Sequence, residues 1–193
     1  MTEKAAVRNW LFKALAVEQA MHVLEADGVS VRAAEDSGAI QRVMPLEDFS
    51  VPIRRSAMQA LPGYLAFFCL ENAVRELVNE RMTENHSAAW WSTLASADIR
   101  KRVGTRQSKE GKDRWHIKRG KHEIYYTDFG DLRLIILNNW ADFEDLFPDQ
   151  NWVISRLGEL EASRNIIAHS NTLDERELAR IKLYLKDWTK QVG

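Results

Sequence analysis

The chain has 193 residues, 45% of them hydrophobic, a formal net charge of −1 and one cysteine; that length buries about 70% of the unfolded surface without a disulfide or metal staple. A single thiol excludes a disulfide framework or a thiolate metal cluster within the chain and fits a reducing compartment. No stretch has the apolar length of a membrane span or the apolar run of a secretory signal near the start, so a cytoplasmic location with no membrane partner is expected.

In chain order, Val7, Trp10, Ala14, Val17, Met21 and Leu24 recur at steps of three and four and predict a first helix over 5–27, with Gly28 as its stop. Residues 25–47 form a connection with one short helix near 34–43. Ser50 caps a further short helix that carries Pro52 in its first turn and ends before Pro62-Gly63. A longer helix over 64–82 then buries Phe67, Leu70, Val74 and Leu77, with Cys69 in the apolar core. Glu71 and Arg75, four apart, pair either as a surface couple or, pointed into a site, as an orienting network. Trp90 and Trp91 read as core or interface packing.

Charge is unevenly distributed. From 98 to 122 ten Lys or Arg stand against three acids, a net of +7 that leaves −8 elsewhere. Arg100, Lys101, Arg102, Arg106, Arg114, Lys118, Arg119 and Lys121 in this segment form a track for a polyanion, RNA being the expected partner, or else a solvated loop. Trp115, Ile117, Ile124 and Tyr126 flank Arg119-Gly120 with an alternation that permits a small β-hairpin or an extended loop.

Thr127 or Asp128 opens the next helix, which carries Leu132, Ile135, Ile136 and Trp140 and must end at Phe147-Pro148. A helix over 151–169 follows, and Thr172 and Glu175 read as the capping box of a last helix that buries Leu178, Ile181, Leu185 and Trp188. The fold class is therefore all-α: an antiparallel helical bundle over 63–193 with a basic insert at 98–122 and an N-terminal helical extension over 1–62.

The helix over 151–169 ends in Arg164-Asn165-Ile166-Ile167-Ala168-His169. Its stripe, Val153, Leu157, Leu160, Arg164 and Ile167, runs a permanent cation into the buried seam. On an ideal helix five residues turn by roughly 140° net and rise about 7.5 Å, so Arg164 and His169 do not share a face, whereas Asn165 and His169 do. For Arg164 and His169 to act on one substrate, either the helix end is distorted or two copies face each other.

The residue types suit RNA cleavage. RNA carries its own nucleophile, the 2′-hydroxyl, so the reaction needs only proton transfer and charge stabilisation. Imidazole as a group titrates near neutrality and suits the first role; a guanidinium fork on phosphate oxygens suits the second. Asn165 orients the phosphate or His169. The remaining histidines, His22, His86, His116 and His122, lack metal-ligand spacing, and no phosphate-binding glycine loop is present, so no metal and no cofactor is expected. Asp142, Glu144, Asp145 and Asp149 read as a solvated helix end.

The R-x-x-x-x-H hexapeptide with Asn after Arg resembles the HEPN superfamily. Leu70-Glu71-Asn72-Ala73-Val74-Arg75 and Tyr126-Thr127-Asp128-Phe129-Gly130-Asp131-Leu132 narrow the resemblance, over about 64–190, to the HEPN domains of Swt-type RNA endonucleases. It implies a metal-independent nuclease producing 2′,3′-cyclic phosphates, with Arg164 and His169 catalytic. By the same resemblance Glu71 and Arg75 line the cleft in support, and a homodimer completes a composite site. It further implies a toxin–antitoxin, antiviral or RNA quality-control setting with an antitoxin or regulatory protein as partner. The alternative is a non-catalytic HEPN adaptor that dimerises and binds nucleotide, RNA or protein.

Overall fold

The computed structural model describes residues 45–112, 115 and 117–192. The helices expected at 5–27 and 34–43, and Arg114 of the basic track, lie outside the described residues. Residues 52–192 belong to one compact unit, and among the described residues there is no strand.

Helix α1, Val51–His86, is 36 residues long and passes through Pro62. The break expected at Pro62-Gly63 does not occur. Proline cannot donate to the Met58 carbonyl, but Met58 and Pro62 both lie on the exposed side of the helix, where a missing intrahelical bond costs less than in the core. Gly63 faces inward, and a Cβ there would sit 3.0 Å from Ile167 Cδ1. The core stripe of α1 is Phe67, Leu70, Val74, Val78 and Met82; Leu77 packs at its margin. Cys69 is exposed, contrary to the expectation that it sits in the core. It lies about 200° around the helix from Phe67, off the buried stripe.

Helix α2, Trp90–Leu94, buries Trp90 and Trp91 edge to face, their centroids 5.4 Å apart. Helix α3, Ala97–Glu110, starts at Ser96, whose side chain accepts from the Ile99 amide, and buries Ile99 and Val103. The first half of the basic segment is thus a helix. The hairpin option fails as well, because Ile124 and Tyr126 sit buried in a 3-10 turn, Glu123–Tyr126, while Trp115 and Ile117 are exposed.

Helix α4, Phe129–Asn138, is shorter than expected. Asn139 leaves the helical region at φ −120°, ψ 41°, and its side-chain amide donates to the Ile135 carbonyl, so Trp140 falls in a separate 3-10 turn. Helix α5, Gln150–Ala168, is capped by Asp149 and buries Val153, Leu157, Leu160 and Ser163. Against it α4 packs closely: a Cβ on Gly158 would meet Arg133 Nη1 at 2.8 Å. Helix α6, Glu175–Val192, buries Ile181, Tyr184 and Trp188. Its cap is Asp174, which accepts from the Glu177 amide at 2.7 Å, and not Thr172 as the capping-box reading had it. No helix among the described residues is long and apolar enough to cross a membrane.

Candidate active site

The site starts from the entry to α4. Asp128 accepts from the Asp131 amide at 2.8 Å while Asp131 accepts from the Asp128 amide at 3.2 Å, a reciprocal cap that satisfies two helix-end donors. Asp131 is buried, 1% exposed, and a buried carboxylate needs cations. Arg102 and Arg106, one turn apart on α3, supply them: Arg102 Nε donates to Asp131 Oδ1 at 2.9 Å and Arg106 Nη1 to Asp131 Oδ2 at 2.7 Å. Burial pushes the Asp131 carboxyl up, but the hydrogen bonds from Arg106 and Arg102 outweigh it and hold the group below the ordinary carboxylate range. Arg106 also donates to the Tyr126 carbonyl and pairs with Asp128. Burial lowers its guanidinium, and these carboxylates more than restore it, leaving it raised.

The same entry loop anchors the second layer. Arg75 of α1 donates to the Thr127 carbonyl at 3.0 Å and to Asn72 Oδ1 at 3.2 Å, and it pairs with Glu71 one turn back. Glu71 is buried, and its second oxygen accepts from Arg164 Nε at 3.2 Å. A chain of contacts therefore runs from Thr127 through Arg75 and Glu71 to Arg164. Glu71-Arg75 is thus a largely buried pair within this chain of contacts and not a surface couple.

These groups open on a cleft of about 540 Å³. Arg75, Arg106, Arg119, Arg164, Glu71 and Asp128 supply its charge, and Tyr64, Phe68 and Tyr125 its aromatic surface. Arg75 and Arg106 are tied into the protein. Among the described residues Arg164 makes one polar side-chain contact, through Nε, and its two terminal nitrogens make none. Arg119 is similar: its Nε lies 3.2 Å from Glu110 and its guanidinium 5.8 Å above the Tyr126 ring.

Asn165 and His169 do not line this cleft. Asn165 is exposed, and His169 is the exposed C-cap residue of α5, its amide bonded to the Asn165 carbonyl at 3.1 Å. Helical geometry is regular through Ala168, and Ser170 turns the chain with φ 60°. Of the basic track, Arg102 and Arg106 are bound to Asp131, Arg100 donates to the Ser92 carbonyl, and Lys101, Lys118 and Lys121 are exposed. Tyr64, Phe68, Tyr125 and Asp131 were not expected in or behind the site. The Asp128-x-x-Asp131 spacing ahead of an apolar run was the available signal for the last. Among the described residues, no three His, Cys, Asp or Glu side chains gather as a cation site would require.

The protein is thus all-α, with helices α1 and α5 joined at a polar cleft by the Glu71 carboxylate, which pairs with Arg75 and Arg164. The family model described as Swt1-like HEPN matches residues 65–193, and the chain belongs to that family. Neither the curated proteins nor the solved structures contain a match.

Proposed function

We propose that the protein is a metal-independent RNA endonuclease that acts as a homodimer, with Arg164 and His169 as the catalytic pair. The observation that carries this reading is the state of Arg164: Glu71 fixes its inner nitrogen, and among the described residues its two terminal nitrogens have no polar partner at a cleft of nucleotide size. HEPN domains are often ribonucleases, and both motif residues are present here.

In the proposed reaction the 2′-oxygen attacks the adjacent phosphorus, the bond to the 5′-oxygen breaks, and a 2′,3′-cyclic phosphate forms. A base takes the 2′-hydroxyl proton and an acid gives one to the departing 5′-oxygen; His169 fills one of these roles. Arg164 holds the non-bridging oxygens as their charge grows. Glu71 and Arg75 position Arg164, and Asn165 lies beside His169 on the exposed face. Because α5 is regular to Ala168, a distorted helix end does not bring His169 round to Arg164. A second copy facing the first supports both residues acting on one phosphate, and the reading therefore includes the dimer. Lys101, Lys118, Arg119 and Lys121 carry the flanking strand; a toxin or defence setting with a regulatory partner follows from the danger of such an enzyme to its host.

The test incubates wild type and His169→Ala with a structured RNA pool in EDTA and maps the product ends. Cyclic phosphates from wild type alone are expected. Binding without cleavage by either protein would replace this reading with the adaptor one, and a monomer at micromolar concentration in sedimentation would remove the composite site.

A further inference from the structure

Three aromatic rings on the cleft have no role in the network that holds Arg164. Tyr64 and Phe68 are one turn apart on α1, with ring centroids 6.2 Å apart and planes tilted by 30°. They are 56% and 58% exposed, although Phe67 between them is buried. Tyr125 lines the same cleft from the 3-10 turn before α4 and is 38% exposed. Its ring lies directly on Gly120, where a Cβ would sit 2.6 Å from Tyr125 Cδ2. A side chain at position 120 would have to displace that ring.

We infer that Tyr64, Phe68 and Tyr125 form a binding subsite for an unpaired nucleobase, beside the phosphate position defined by Arg164. The inference rests on the RNA reading above and narrows it to strands unpaired at the site. Charge and shape argue for this occupant. Among the described residues the terminal nitrogens of Arg164 and Arg119 have no polar partner and call for phosphate, and the exposed ring faces call for a flat apolar partner; a nucleotide joins the two within one cleft. A duplex keeps its base faces stacked on one another and has none to offer such rings.

The test measures fluorescence anisotropy of labelled RNA at fixed salt with the full-length His169→Ala protein, which keeps the substrate intact. Three probes are compared: a mixed-sequence single strand, the same sequence as a duplex, and a strand of abasic ribose phosphates. Adding Tyr64→Ala and Phe68→Ala is expected to weaken the single strand by about 5- to 100-fold. Duplex and abasic binding should stay unchanged, Tyr64→Phe with Phe68→Tyr should restore the single strand, and Gly120→Ala should weaken it by displacing Tyr125. Equal losses on the abasic strand, or no loss on any, would overturn the subsite while leaving the RNA reading intact. Conversion of a dimer to a monomer by the alanine pair would overturn it too, by making the rings a contact between copies. Absence of binding of any probe to His169→Ala would defeat the RNA reading itself, and the subsite with it.

Discussion

Arg164 Nε donates to Glu71 Oε2 at 3.2 Å, joining two residues 93 positions apart on α5 and α1. Glu71 also pairs with Arg75, so one buried carboxylate answers two guanidiniums. Glu71→Ala should leave both arginines without their partner. A fully buried broken pair costs about 3–5 kcal/mol, and partial exposure of Arg164 reduces this to roughly 2–4. A double-mutant cycle with Arg164→Ala, read by urea unfolding, should give a coupling of about 0.5–3 kcal/mol. Strict additivity would show that the contact does not hold the cation.

His169 is the opposite case. Its side chain is exposed and its backbone bond to Asn165 survives truncation. His169→Ala should change stability by no more than about 0.5 kcal/mol, while cleavage falls by about 10²-fold or more. Thermal unfolding and a cleavage assay on one preparation make the comparison, and a variant that loses activity only by unfolding would contradict it.

These two residues also mark what the sequence could reveal. The α5 stripe of Val153, Leu157 and Leu160 has one helical period and is buried as that period requires. The helical rule that separates Arg164 from His169 holds because the helix stays regular to Ala168. Long-range partners carry no such period: nothing local to Glu71 names Arg164, and nothing in the run of cations names Asp131 as the acid that binds Arg102 and Arg106. A charge count sees ten cations but not which of them the protein uses internally. Pro62 misleads for a related reason, since the cost of a proline in a helix depends on whether its face is buried, which the local sequence does not state.

Gly63 tests the approach of α1 to the end of α5. It is buried, with Ile167 Cδ1 3.0 Å and Leu173 Cδ1 3.4 Å from the place of a Cβ. Gly63→Val adds a branched side chain to that space and should destabilise by about 1–3 kcal/mol, overpacking outweighing any gain in helix propensity. It should also weaken cleavage in the surviving folded fraction, because Ile167 lines the cleft beside Arg164. Unchanged stability and activity would mean that the helices are not closely packed there.

Asp131 gives a pH-dependent prediction whose sign is fixed by its environment. Burial works against its charge, but Arg106 and Arg102 hold its folded carboxyl below the ordinary value of about 3.9 expected in the unfolded chain. A lowered carboxyl contributes stability that is complete above the unfolded value and disappears as pH falls through the folded one. Asp131→Asn keeps the shape and removes the charge, so at pH 7 it should cost about 2–4 kcal/mol, less than a fully buried pair because Arg102 reaches solvent. As pH falls below the unfolded value towards the lower folded one, the unfolded chain binds the proton first and the stability that the charge contributes drains away, so the gap between the two proteins should narrow as acid is added. Among the described residues two other carboxylates lie below their ordinary range: Glu110, through its hydrogen bond to Tyr126, and Asp145, through Arg81. Both act in wild type and variant alike and cancel in the difference. Urea unfolding of the pair at pH 7, 5, 4 and 3 measures that difference, and a gap that stays constant across the series would show that Asp131 is not the ionised centre joining α3 to α4.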